Sequence, residues 1–199
     1  NGDMAPTIVV STSYIYGVPV DYYPDADPYC EALPQELVND LIPIVENRYR
    51  TYAKTIDIAG IEASRGHRAI GGFSMGAVTT WYALAHTLNC FKYFIPISSD
   101  CWSLGRFAGM TCPDETAEYL ANTIRDSAFS ENDFYIWAAS GSNDVAYDRI
   151  LVQIQAMAQL TDAFPVTNLT FHDQEGARHE FRPIAEYLYN ALPSLFPNR

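Results

Sequence analysis

A chain of 199 residues, 48% apolar and only 18% charged, has the makings of one globular domain with a sizeable core rather than a disordered segment. Its formal charge of −12 repels phosphates, which speaks against nucleic acid or an anionic membrane surface as partner. No apolar run approaches the roughly 20 residues that span a bilayer, and no signal peptide stands at the front; opening on Asn1-Gly2-Asp3, the sequence reads as the interior of a longer polypeptide.

In chain order, a β-branched run predicts a strand over 7–11, and the Tyr-, Pro- and Asp-rich stretch 14–34 reads as a long surface loop. A helix follows over 34–49, its Leu37, Val38, Leu41, Val45 stripe interrupted at Pro43, where a bend is expected. Strands are then predicted over 68–73, 93–97, 134–139 and 168–172, and helices over 75–88, 114–126, 146–160 and 183–192. The clearest helix is 146–160, with Tyr147, Ile150, Leu151, Ile154, Met157 and Ala158 on one face. Strands alternating with helices predict an α/β fold: a mostly parallel sheet with helices on both faces, in a single domain over 1–199. No internal repeat or low-complexity tract divides the chain.

The four cysteines are Cys30, Cys90, Cys101 and Cys112. Their even number and the sequon Asn168-Leu169-Thr170 lean towards an exported protein. Cys101 and Cys112 flank a short Gly-containing loop, but four cysteines allow three connectivities and the sequence does not choose. None lies in a Cys-x-x-Cys pair, which argues against a zinc site, and no metal is expected.

Chemistry enters at Gly72-Phe73-Ser74-Met75-Gly76, placed directly between a predicted strand and a predicted helix. This is the Gly-x-Ser-x-Gly turn that lifts a serine to the carboxyl edge of a parallel sheet, with both glycines expected to avoid collision with neighbouring backbone. A serine hydroxyl is a weak nucleophile at neutral pH and needs a histidine base oriented by an acid. In this fold class they follow in the order Ser, acid, His, each just past a different strand. The strand over 134–139 runs into a loop containing Asp144, and the strand over 168–172 into one containing His179, so Ser74, Asp144 and His179 share a rim by strand polarity. The Met75 N–H, opening the next helix, is the expected oxyanion donor. Asp144 has a plainer reading as a helix N-cap, and Asp148 is a rival acid, though placed on the helix itself. His67 lies before the nucleophile strand at the opposite edge, His86 shares a helix face with Thr79, Thr80 and Thr87, and His172 reaches the rim too early.

The segments 36–46, 71–76, Ser98-Ser99-Asp100-Cys101-Trp102 and Asp114-Glu115-Thr116-Ala117 resemble the feruloyl esterases of carbohydrate esterase family one, the xylanase-associated and rumen-type members of the esterase D group. The resemblance covers nearly the whole chain. It implies an α/β-hydrolase fold and a cofactor-free hydrolase that releases ferulic or p-coumaric acid from arabinoxylan, which fits the secreted localisation that the cysteines and sequon suggest. It assigns Ser74, Asp144 and His179 to nucleophile, acid and base. By the same resemblance Trp102 is a candidate wall for the phenolic ring, with a core tryptophan as the competing reading, and Tyr14, Tyr16 and Tyr147 are further pocket candidates. Ala77 replaces the usual glycine after the pentad, and Gly176-Ala177-Arg178-His179 replaces a Gly-Gly-His, leaving Arg178 facing either a carboxylate or solvent. The family's leading strands and its His-Gly-Gly-type loop, source of the second oxyanion donor, have no counterpart, so the fold is expected to lack its N-terminal strands. The expectation is that an upstream segment or a second chain completes the sheet. Alternatives on the same fold are an acetylxylan esterase, a thioesterase-like hydrolase or an acyltransferase; outside enzymology, the alternative is a non-catalytic carbohydrate-binding or inactive fragment.

Overall fold

The computed structural model describes residues 6–13 and 22–196. Four strands, β1 (Ala69–Phe73), β2 (Tyr93–Ile97), β3 (Tyr135–Gly141) and β4 (Leu169–Gln174), form one parallel sheet in the order β1-β2-β3-β4. The register aligns Phe73, Ile97, Ala139 and His172 in one row across the sheet. Among the described residues the sheet is that of an α/β-hydrolase-like fold without the extra N-terminal strands.

The strands are apolar on both sides because both faces are covered. On β2, Tyr93, Ile95 and Ile97 face one core together with Trp137 and Ala139 of β3, closed by Tyr187 and Ala191 of α8 (Phe181–Ala191). Phe94, Ile136 and Ala138 point the other way, into the larger core. That core is capped by α4 (Met75–His86), α6 (Pro113–Arg125), α7 (Tyr147–Met157) and the helical segment near the amino end.

That amino-terminal segment differs most from the sequence expectation. Residues 7–11 form no strand, and Ile8, Val9 and Val10 stand exposed. β-branched residues favour a pleated surface only where a neighbouring strand supplies one. Residues 22–34, expected as loop, are largely helical: a 3₁₀ turn (Tyr23–Ala26) leads into α1 (Asp27–Glu36). Pro28 is tolerated in the first turn, where no intrahelical N–H bond is lost. In place of the bend expected at Pro43 there is a single π turn, Leu37–Leu41, after which α2 (Ile42–Arg48) continues. Widening the turn before the proline relieves the clash its ring would make four residues back. The short helices α3 (Ile58–Ala63) and α5 (Ala108–Thr111) carry no clear periodicity in the sequence and were not expected.

All four cysteines are free thiols; burial pushes those of Cys30 and Cys101 up to about 11. The sequon is closed as well. Asn168 is buried, and its amide donates to the carbonyls of Glu131 (2.7 Å) and Ala163 (3.0 Å), so the folded chain offers no acceptor there.

At the amino end of the sheet, Arg65 is buried and spends its guanidinium on backbone carbonyls. It donates to Leu88 (2.8 Å), Phe91 (2.8 Å) and Asp133 (2.7 Å) and lies 4.0 Å above the Phe129 ring. It thereby ties the turns before β1, β2 and β3 together. Replacing Arg65 with Leu leaves those acceptors dry, at about 1–3 kcal/mol for each that water does not reach. Urea denaturation of R65L is expected to show a loss of about 3 kcal/mol or more; an unchanged midpoint would refute the role.

Candidate active site

Between β1 and α4 the chain turns within one residue. Ser74 takes φ 58° and ψ −116°, a backbone that non-glycine residues rarely adopt and that is held here by its surroundings. The turn needs the glycine at 72: a Cβ there would sit 2.5 Å from the carbonyl of Gly76. The matching expectation for Gly76 fails, since a Cβ on it meets nothing within 4 Å. The Ser74 N–H donates to the Ile97 carbonyl (2.9 Å), fastening the turn to β2. The Cys30 thiol donates to the Met75 carbonyl (3.5 Å) from beneath.

The loops after β3 and β4 bind one another. Ser142 N–H donates to the Gln174 carbonyl (3.0 Å), Asn143 N–H to the Ala177 carbonyl (3.0 Å), and Gly176 N–H to the Ser142 hydroxyl (2.8 Å). Gly141 permits this approach, because a Cβ there would lie 2.3 Å from the Ala177 carbonyl oxygen, and Gly176 supplies φ 73°. This pairing delivers Asp144 and His179 to each other and to the serine.

The result is a continuous chain of hydrogen bonds. Ser74 Oγ lies 2.9 Å from His179 Nε2, and His179 Nδ1 lies 2.8 Å from Asp144 Oδ1. With Nδ1–H donating to the carboxylate, Nε2 carries the lone pair that the serine hydroxyl faces. Asp144 is 7% exposed. Burial by itself would raise its carboxyl, but the hydrogen bonds from His179 and the Ala146 N–H, together with the influence of the Ser98 hydroxyl, outweigh it and hold the group below the ordinary value. The N-cap reading of Asp144 is partly true: Oδ1 also accepts from Ala146 N–H at 2.7 Å, while Ala146 itself caps α7.

The other candidates fall elsewhere. Asp148 is exposed in the first turn of α7. His67 stacks on Tyr52, His86 lies along Tyr82, and His172 packs between Trp137 and Tyr187. Trp102 is 1% exposed, donates to Asp100 Oδ1 (3.1 Å), and shares a cluster with Met75, Val78 and Tyr82, so it meets the site through the nucleophile turn and not as an open wall. Tyr147 donates to Asp173 Oδ2 (2.7 Å), and Arg178 faces solvent. Tyr14 and Tyr16 lie outside the described residues.

Two aromatic rings that the sequence reading passed over stand beside the base. The Phe73 ring centroid is 4.4 Å from that of His179, and Phe181, 84% exposed, is 5.7 Å from Phe73. Phe73 occupies the variable place of the pentad and Phe181 follows the base by two residues. Their nearness to the triad was the available signal.

No protein-family model matches the chain. It is 36% identical over 203 residues to endo-1,4-beta-xylanase Y of Acetivibrio thermocellus, aligned over 98% of this chain but 17% of that protein. A serine-to-alanine variant of the feruloyl esterase module from Clostridium thermocellum, complexed with sinapinate, superposes with a TM-score of 0.78 at 36% identity, over 84% of this chain and 59% of the module. A ferulic acid esterase of the anaerobic fungus Anaeromyces mucronatus, at 17% identity and a TM-score of 0.58, shares the fold. The chain thus spans less than two thirds of these relatives.

Two outcomes check the site. Gly141→Ala drives the acid and base loops apart, and a displacement of about 1 Å at such a site costs on the order of 100-fold in kcat; ester turnover at the wild-type rate would contradict the loop pairing. For pH, folding favours the ionised Asp144, so its stabilisation is full above the ordinary value of 3.8 and is lost as pH falls through the lower folded value. The stability difference between wild type and Asp144→Asn, followed by urea unfolding from pH 6 to 2, should shrink below pH 3.8. A constant difference would oppose this assignment. In fold and in sequence, the chain is a close match to feruloyl esterase modules.

Proposed function

We propose that this chain is the catalytic part of a serine carboxylic-ester hydrolase acting on feruloyl or p-coumaroyl esters of arabinoxylan. The observation that carries the proposal is the unbroken path Ser74 Oγ–His179–Asp144, with both contacts under 3 Å.

His179 Nε2 takes the Ser74 proton as Oγ attacks the ester carbonyl. Asp144 keeps the imidazole in the tautomer that can accept it and stabilises the imidazolium that forms. The oxyanion meets the Met75 N–H, an amide at the start of α4 with no acceptor inside the helix. The imidazolium returns the proton to the leaving alcohol. Water, deprotonated in the same way, then cleaves the acyl-enzyme.

An aromatic acyl group is favoured by the apolar surface of Phe73 and Phe181 beside the base. The solved relative complexed with sinapinate supports the same choice, and the xylanase relative supports an arabinoxylan-derived alcohol. Export follows from a polymeric substrate and not from the sequon, which is buried.

Hydrolysis of methyl ferulate and of an aryl acetate, compared in one assay, tests the reading. Ser74→Ala should abolish both activities, and Phe181→Ala should raise KM for methyl ferulate by about threefold or more, with little change for the acetate. Turnover that survives in S74A would remove the triad mechanism; preference for the acetate would favour an acetyl esterase.

A further inference from the structure

The rim carries a second strained serine. Ser98 follows Ile97 at the end of β2 and, like Ser74, has a left-handed backbone, φ 57°. It is not a glycine, it is 1% exposed, and its N–H donates to the Ala139 carbonyl (2.8 Å). Since Phe73, Ile97 and Ala139 share one register row, Ser74, Ser98 and Ser140 form the next row towards the rim.

Ser98 therefore stands between the nucleophile turn and the strand that leads to the acid. Its hydroxyl lies 3.4 Å from that of Ser140, which is fully buried. The same hydroxyl favours the charged form of the Asp144 carboxylate, which lies four residues beyond Ser140. Asp144 uses Oδ1 for both His179 and Ala146; Oδ2 is enclosed and has no hydrogen-bond partner among the described residues. A carboxylate oxygen in that position is costly unless a donor faces it, and a hydroxyl hydrogen rotates to suit its acceptor. The ionisable groups acting on the carboxylate are His179 itself and Tyr187, with Asp173 beyond Tyr187. The first is the base, the second has a buried hydroxyl without a partner among the described residues, and the third is exposed and held by Tyr147.

Building on the triad reading above, we propose that Ser98 is a positioning residue for the acid: its strained backbone aims a buried hydroxyl at Asp144, with Ser140 donating to it from behind. Ser98 acts on the reaction through Asp144 and touches no substrate.

Ser98→Gly is the direct test, because glycine accepts the same φ while removing the hydroxymethyl side chain. Two measurements are made on the full chain: steady-state kinetics with methyl ferulate, and the low-field proton resonance of the His179–Asp144 hydrogen bond. S98G should lose about tenfold in kcat with KM unchanged, and its low-field resonance should shift or vanish, as expected when a supporting contact of a triad member goes. Ser140→Ala should show a smaller loss of the same kind. Wild-type kcat in S98G, or a loss that leaves the resonance in place, would overturn the proposal. Ser74→Ala in the same assay separates the two ideas. If S74A is inactive while S98G is unaffected, only the role of Ser98 fails; if S74A still turns over, the triad reading itself fails.

Discussion

The parallel direction of the strands is the constraint from which the site follows. Because β1, β3 and β4 end on the same rim, residues 74, 144 and 179 meet although more than a hundred positions separate the first from the last. Direction alone brings them near; two close backbone approaches make the meeting exact enough for chemistry. Gly72 lies against Gly76 so that the chain can reverse under Ser74, and Gly141 lies against Ala177 so that the acid and base loops can pair. Each approach leaves no room for a Cβ, and each fixes a side chain that would otherwise wander with its loop.

Much of this was legible because it rests on local pattern. The strand over 93–97 was read with its observed bounds, since all five residues are buried and the run is bounded by turns. The helix 146–160 announced itself by its apolar stripe, and α7 occupies most of that range. Asp144 and His179 could be placed at the rim from strand order without knowing any distance. The bonds between Ser142, Asn143 and Gly176 and their partners were not legible, because they join loops from separate strands and leave no periodic trace. Ser98 was invisible for a related reason: its left-handed backbone is imposed by neighbours, and serine carries no propensity for it.

The front of the chain shows the opposite failure. Thr7, Ile8, Val9 and Val10 have the composition of a strand, yet composition describes a surface that only a neighbouring strand can provide. Prolines misled in the other direction at 28 and 43, where a first-turn position and a π turn let helix continue through residues that usually end one. In this structure β1 pairs with β2 alone among the described strands.

The account turns on Ser74 being the one activated hydroxyl of the molecule. Labelling with an aryl fluorophosphonate, followed by peptide mass mapping, interrogates this without any assumption about the natural ester. The account predicts a single adduct on the peptide containing Ser74, forming far more slowly in His179→Ala. An adduct on another residue, or no adduct in protein that hydrolyses esters, would contradict it.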